Sequence, residues 1–147
     1  MWTDFLVIEE IKTTYSPKAN RPKITGSGDT YTTLKPAFEN CLEYFESFKI
    51  MLLNNSNEVL GFCTISEGGI TGTIVDVRMI FQKALIANAT SIILAHNHPS
   101  GGLKPSQADI TITEKIKKAG NVLDINILDH IILTKFTYYS FADEGIL

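Results

Sequence analysis

The chain has 147 residues, 44% hydrophobic and 20% charged, enough for one domain whose core needs no disulfide staples. Its formal net charge of -3 predicts no general attraction to nucleic acid. No apolar run approaches a membrane span, and Met1-Trp2-Thr3-Asp4 lacks the basic region of a signal peptide, so a cytoplasmic, membrane-free protein is expected.

In chain order, Phe5 to Thr14 reads as a strand. The polar stretch from Ser16 to Asp29, with Pro17, Pro22, Gly26 and Gly28, reads as a long loop or as a short linker tying the N-terminal strand to the main body. Lys12, Lys18, Arg21 and Lys23 cluster loosely near the N-terminus and are read as a solvated polar loop rather than a nucleic-acid patch. Thr33 to Tyr44 carries Leu34, Ala37, Phe38, Cys41 and Leu42 at helical spacing. Cys41 and Cys63 form no C-x-x-C pair and are read as buried free thiols, consistent with a reducing compartment. Glu46 to Leu53 and Val59 to Ser66 read as strands of a hairpin turning at Asn54-Asn55-Ser56-Asn57. Asp76 can cap a helix with an apolar face of Val77, Ile80, Phe81, Ala84 and Leu85. Ser91 to His96 is an unbroken apolar strand, as expected of one covered on both faces. Ser106 starts a helix with Ile112, Ile116 and Ala119 on one side and Gly120 as its C′ residue; Lys115, Lys117 and Lys118 suit its end. Val122 to Leu128 and His130 to Thr134 supply strand bent at Asp129, and Tyr138 to Phe141 a last short one. This order predicts a mixed sheet with helices packed on it, an α/β or α+β sandwich.

The chemistry concentrates in His96-Asn97-His98-Pro99, six residues, then Ser106 and Asp109. In extended chain, residues i and i+2 share a face, so His96 and His98 can converge on one ion. Pro99 favours that conformation in the residue before it. Asp109 supplies a third ligand, and three protein ligands with one position left for water make a catalytic rather than a structural zinc site. Two bland readings compete. Ser106-Gln107-Ala108-Asp109 also fits a helix capping box, and His130 reads as a hydrogen-bonded core histidine. A hydrolytic site also needs a general base. Glu46 is in phase with Phe48, Ile50 and Leu52; Glu67, in phase with Cys63 and Ile65, is the competitor.

His96-x-His98-Pro99-x6-Ser106-x2-Asp109 resembles the JAMM motif of JAB/MPN-domain metalloproteases. Ala95 to Gly102, Pro105 to Asp109 and Leu128-Asp129-His130-Ile131-Ile132 resemble its RadC-like branch, in a short single-domain form. The resemblance covers residues 30–147 as a JAB/MPN domain, with 1–29 as an N-terminal strand and loop of the same domain. It implies a cytidine-deaminase-like three-layer α/β/α fold with a mixed sheet and a Zn2+ held by His96, His98 and Asp109. It also implies Glu46, in an E-x-F context, as the base and Ser106 as the group that stabilises the oxyanion. The expected activity is hydrolysis of peptide or isopeptide bonds, with a protein or peptide as substrate. The first residues carry no G-x-G hairpin signature of the helix-hairpin-helix region found in full-length RadC-like proteins, which weakens the family's DNA-repair label here. The alternative is a non-catalytic zinc-containing module in DNA repair or mobile-element processes. Nucleobase deamination is rejected, because it needs H-x-E and P-C-x-x-C.

Overall fold

The computed structural model describes Thr14, Ser16 and residues 19–68 and 74–147. The strand expected over 5–14 therefore lies, but for Thr14, outside the described residues, as do Lys12, Pro17 and Lys18. The elements run α1 (Ser27–Phe38), β1 (Ser47–Leu53), β2 (Val59–Glu67), α2 (Val77–Ile86), β3 (Ser91–Asn97), α3 (Gln107–Val122), β4 (Asn126–Leu133) and β5 (Tyr138–Ser140). Among the described residues no helix is long and apolar enough to cross a membrane.

The five strands form one mixed sheet in the order β2-β1-β3-β4-β5. β3 and β4 are parallel, joined across α3; the other neighbours are antiparallel. β3 and β1 are buried along their whole lengths, because each face of the sheet is covered. On one face Met51, Leu53, Ile93, Ala95, Ile131 and Leu133 pack against Leu34 and Phe38 of α1. On the other, Phe48, Ile50, Leu52, Ile92 and Leu94 pack against Ile80, Phe81 and Ala84 of α2 and Ile116 of α3. Three layers result, α/β/α, with the mixed sheet in the middle.

Several local expectations change. α1 begins at Ser27, six residues earlier than the apolar spacing suggests, and ends at Phe38 rather than Tyr44. Its start is polar because Thr30 alone of the first turn is buried. Beyond Phe38 the chain closes in tight turns, which still bury Cys41 and Leu42. Cys41 and Cys63 are both free, though Cys63 is only half-buried. Asp76 caps α2 as expected, accepting from Arg78 N–H at 2.9 Å, but Leu85 is exposed rather than part of the packed face.

Gly120 is not the residue that ends α3. The helix continues through it to Val122, so the three lysines lie before its last turn, and Asp124 takes the left-handed position with φ 55°. Gly120 is needed for close approach: a Cβ there would collide with the Ile125 carbonyl and touch the Ile127 side chain. In an open helix Gly→Ala stabilises; here the collision reverses the sign. Gly120→Ala should therefore lose about 1–3 kcal/mol in chemical denaturation, the range for overpacking. An unchanged or higher midpoint would contradict this account of the glycine.

Candidate metal centre

His96 is the penultimate residue of β3 and is 1% exposed; Asn97 follows it and His98 lies just past the strand end. The sheet holds the chain extended to this point, so the two imidazoles turn to the α3 face and Asn97 turns to the α1 face. His96 Nε2 lies 3.0 Å from His98 Nε2 and 3.3 Å from Asp109 Oδ1, and His98 Nε2 lies 3.7 Å from Asp109 Oδ2. Four ligands at zinc-like bond lengths in a tetrahedron stand roughly 3.3 Å apart, close to the separations of His96 Nε2 from His98 Nε2 and from Asp109 Oδ1. Among the described residues, His96, His98 and Asp109 are the one group of three such side chains close enough to hold a metal ion.

The two readings of Ser106 and Asp109 turn out to be compatible. The capping box is present: Asp109 N–H donates to Ser106 Oγ at 3.1 Å, and Ser106 N–H donates to Asp109 Oδ2 at 2.7 Å. Ser106 Oγ also donates to Oδ2, at 2.7 Å. All three cap bonds involve Oδ2 or the backbone, which leaves Oδ1 aimed at His96. One carboxylate closes the helix end and faces the histidines.

Electrostatics concentrate on this group. Burial alone would raise the Asp109 pKa, but the imidazoles of His96 and His98, with the Ser106 hydroxyl, hold it far below the carboxylate range. The hydrogen bond to Asp109 raises His98 above the ordinary histidine value against its partial burial, and the Gly102 carbonyl and the Glu46 charge add to the rise. His98 Nδ1 donates to that carbonyl at 2.7 Å, so Nε2 is the nitrogen left for an ion. His130 is fully buried, and burial pushes its pKa well below the ordinary value. It is the core histidine expected, yet its ring bonds directly to His96.

The two candidate bases separate by face. Phe48 pairs with His96 across the antiparallel β1–β3 ladder, and the charge of Glu46, two residues before Phe48, acts on His98. Glu67 sits across the hairpin from Ser47, with Oε1 3.4 Å from Lys49 Nζ and 3.5 Å from Ser47 Oγ. Lys49 in turn lies over the Phe38 ring of α1, so Glu67 serves the opposite side of the sheet.

Asn97, the unspecified middle of the H-x-H pattern, is a residue the sequence reading missed. Its Oδ1 accepts from Ser47 N–H at 2.8 Å, and its Nδ2 donates to the carbonyls of Cys41, Leu42 and Phe45 at 3.0, 3.2 and 2.9 Å. These bonds tie the turns before β1 to the end of β3. Its burial inside a strand between two histidines was the only signal.

The fold and the site together define a three-layer α/β/α domain with an open two-histidine, one-carboxylate group at the mouth of its central strand. The chain belongs to the RadC-like JAB domain family, which it matches over residues 24–146. It is 54% identical over 124 residues to a UPF0758 protein of Flavobacterium johnsoniae, covering 84% of this chain and 53% of that one. A UPF0758 protein of Porphyromonas gingivalis is 41% identical over 128 residues, 86% of this chain and 56% of the relative. One from Methanosarcina mazei is 38% identical over 125 residues, 85% of this chain and 54% of the relative. The chain thus spans about half the length of the curated relatives it matches.

Metal uptake competes with the proton that His98 gains on acidification. Because its pKa is raised, that proton begins to compete at a higher pH than on a free imidazole. Apparent zinc affinity, read by chelator competition between about pH 5 and 8, should weaken on acidification from above the ordinary histidine midpoint. A flat profile across that window would contradict the assignment of His98 as a ligand.

Proposed function

We propose that the domain is a zinc-dependent hydrolase of the peptidase or isopeptidase class, with a protein or peptide as substrate. The observation that carries this reading is the convergence of His96 Nε2, His98 Nε2 and the Asp109 carboxylate in a partly open corner, where the Glu46 charge acts on His98. His98 and Asp109 are 17% and 16% exposed, so a substrate oxygen has access, whereas a structural zinc site is closed by a fourth protein ligand. When bound, a divalent ion held by two neutral imidazoles and one carboxylate supplies a Lewis acid and lowers the pKa of water toward ~7.

The chain's own residues do the rest. Glu46 takes a proton from the attacking water and returns it to the leaving amine. Ser106 stands exposed at the start of α3, where its hydroxyl can donate to the carbonyl oxygen as negative charge develops there. Its single hydrogen is given to Asp109 Oδ2 in the resting arrangement, so this role requires the hydroxyl to turn; the Ser106 N–H keeps its own bond to Oδ2 meanwhile. JAB-domain membership supports peptide or isopeptide bonds as the substrate class. The two free cysteines favour a reducing, cytoplasmic setting, and the acidic charge weighs against direct nucleic-acid binding.

Glu46→Gln should retain bound zinc and lower hydrolysis of a peptide library by about 10²–10⁴-fold, the usual weight of a general base. Unchanged turnover would remove Glu46 from the mechanism, and loss of zinc would make it a ligand instead. His98→Ala should lose most bound metal by elemental analysis; full occupancy would contradict the site. For Ser106→Ala, two readouts separate its roles: about 1 kcal/mol of stability from the lost cap, and about 10–10³-fold in kcat from the lost donor. A stability loss alone would leave Ser106 as a cap only.

A further inference from the structure

We infer that His130 and Thr113 are positioning residues that fix which ring nitrogen of His96 carries its hydrogen, and so keep His96 Nε2 available to a metal ion. The inference rests on the metal-binding part of the proposed function and assigns roles to two residues outside the group of ligands.

Hydrogen counting sets the direction of the chain. The Thr113 hydroxyl has one hydrogen and two close neighbours, the Asp109 carbonyl oxygen at 2.6 Å and His130 Nδ1 at 2.6 Å. The carbonyl can only accept, so the hydroxyl hydrogen goes there; otherwise two oxygens would face each other at that distance with no hydrogen between them. Thr113 Oγ1 then accepts, and His130 Nδ1 must be the donor. The His130 ring is fully buried, stacked on Phe141 at 4.6 Å and edge-on to Phe48 at 5.6 Å, so a second, charging hydrogen is strongly disfavoured. Its Nε2 is therefore bare and accepts from His96 Nδ1 at 2.8 Å. His96 is left with Nδ1–H and a lone pair on Nε2, directed at His98 and Asp109. Free imidazole in water favours the opposite tautomer, which would put a hydrogen where the ion belongs.

The backbone is arranged for this contact. Ile92 pairs with Ile127, but Ile93 pairs with Asp129, so Leu128 is an extra residue bulged out of β4. Without it the alternation of β4 would turn His130 to the α1 face, away from His96. With it His130 stands beside Leu94, on the same face as His96. A histidine backing a metal ligand is less common than a carboxylate or carbonyl in that place. It adds no negative charge, so the ligand set would leave a divalent ion one net positive charge.

The test compares Thr113→Val, Thr113→Ser and His130→Leu in the full chain. Thr113→Val keeps the shape and removes the acceptor; Thr113→Ser restores it. Zinc affinity by chelator competition should fall about 10–100-fold in Thr113→Val and His130→Leu, the usual cost of losing a partner behind a ligand, and recover in Thr113→Ser. In metal-free protein, 15N spectra of the His96 ring should show Nδ1–H in the wild type and in Thr113→Ser, and a shift toward Nε2–H in Thr113→Val. Wild-type affinity and an unchanged His96 tautomer in Thr113→Val would overturn the relay. So would a failure of Thr113→Ser to rescue. A wild type that binds no zinc would sink the proposed function, while the metal-free spectra would still decide the tautomer.

Discussion

The Asn97 side-chain amide directs both its N–H donors and its oxygen at one short stretch of chain, from Cys41 to Ser47. That stretch has left its helix at Phe38 and has not yet entered a strand, so its carbonyls have no regular ladder to bond to. Buried carbonyls without partners cost about 1–3 kcal/mol each; the Asn97 Nδ2 hydrogens serve those of Leu42 and Phe45, and reach that of Cys41, which also accepts from the turn N–H groups of Tyr44 and Phe45. The bond from Ser47 N–H then fixes where β1 starts against β3. The clamp joins the turns before β1 to the end of β3, beside the six-pair ladder of the two central strands and the bond from Gly68 N–H to the Glu46 carbonyl. Alternation along β3 lets the same three residues do two jobs, with His96 and His98 facing α3 and Asn97 facing α1.

The histidine face is equally interlocked. His98 is steadied by the Gly102 carbonyl of the loop that follows it, His96 by His130, and His130 by Thr113 one turn into α3 from Asp109. Thr113 returns a hydrogen bond to the Asp109 carbonyl, so the chain of contacts closes on the third member of the cluster. With the Ser106 N–H and hydroxyl on Oδ2 and His98 beside it, the Asp109 carboxylate stays ionised despite its burial.

Much of this was legible in the residues. The unbroken apolar run before His96 marks a strand buried on both faces, and the H-x-H spacing then fixes a common face for the two rings. The hairpin and the Asp76 cap follow from turn and capping chemistry. What stayed hidden was tertiary. Glu46 and Glu67 are both in phase with apolar neighbours, and only the register of β1 against β3, together with Lys49 over Phe38, sends them to opposite sides. The start of α1 was missed because its first turn is exposed and polar, so it has no apolar stripe to read. The Leu128 bulge breaks the period-two alternation of β4, which left His130 without a readable face. Gly120 looked like a terminator because the close carbonyl of Ile125 is visible only once the chain has folded back.

The double use of Asp109 ties two things that are usually independent. Its Oδ2 closes the first turn of α3, and its Oδ1 looks into the corner between the histidines. Any ion drawn to that corner therefore also bonds, through one carboxyl group, to the helix that carries the parallel crossover from β3 to β4. Binding free energy then becomes folding free energy for that crossover, by ordinary mass action. A chelator would act on such a domain as a local denaturant, loosening the start of one helix before it touched the sheet.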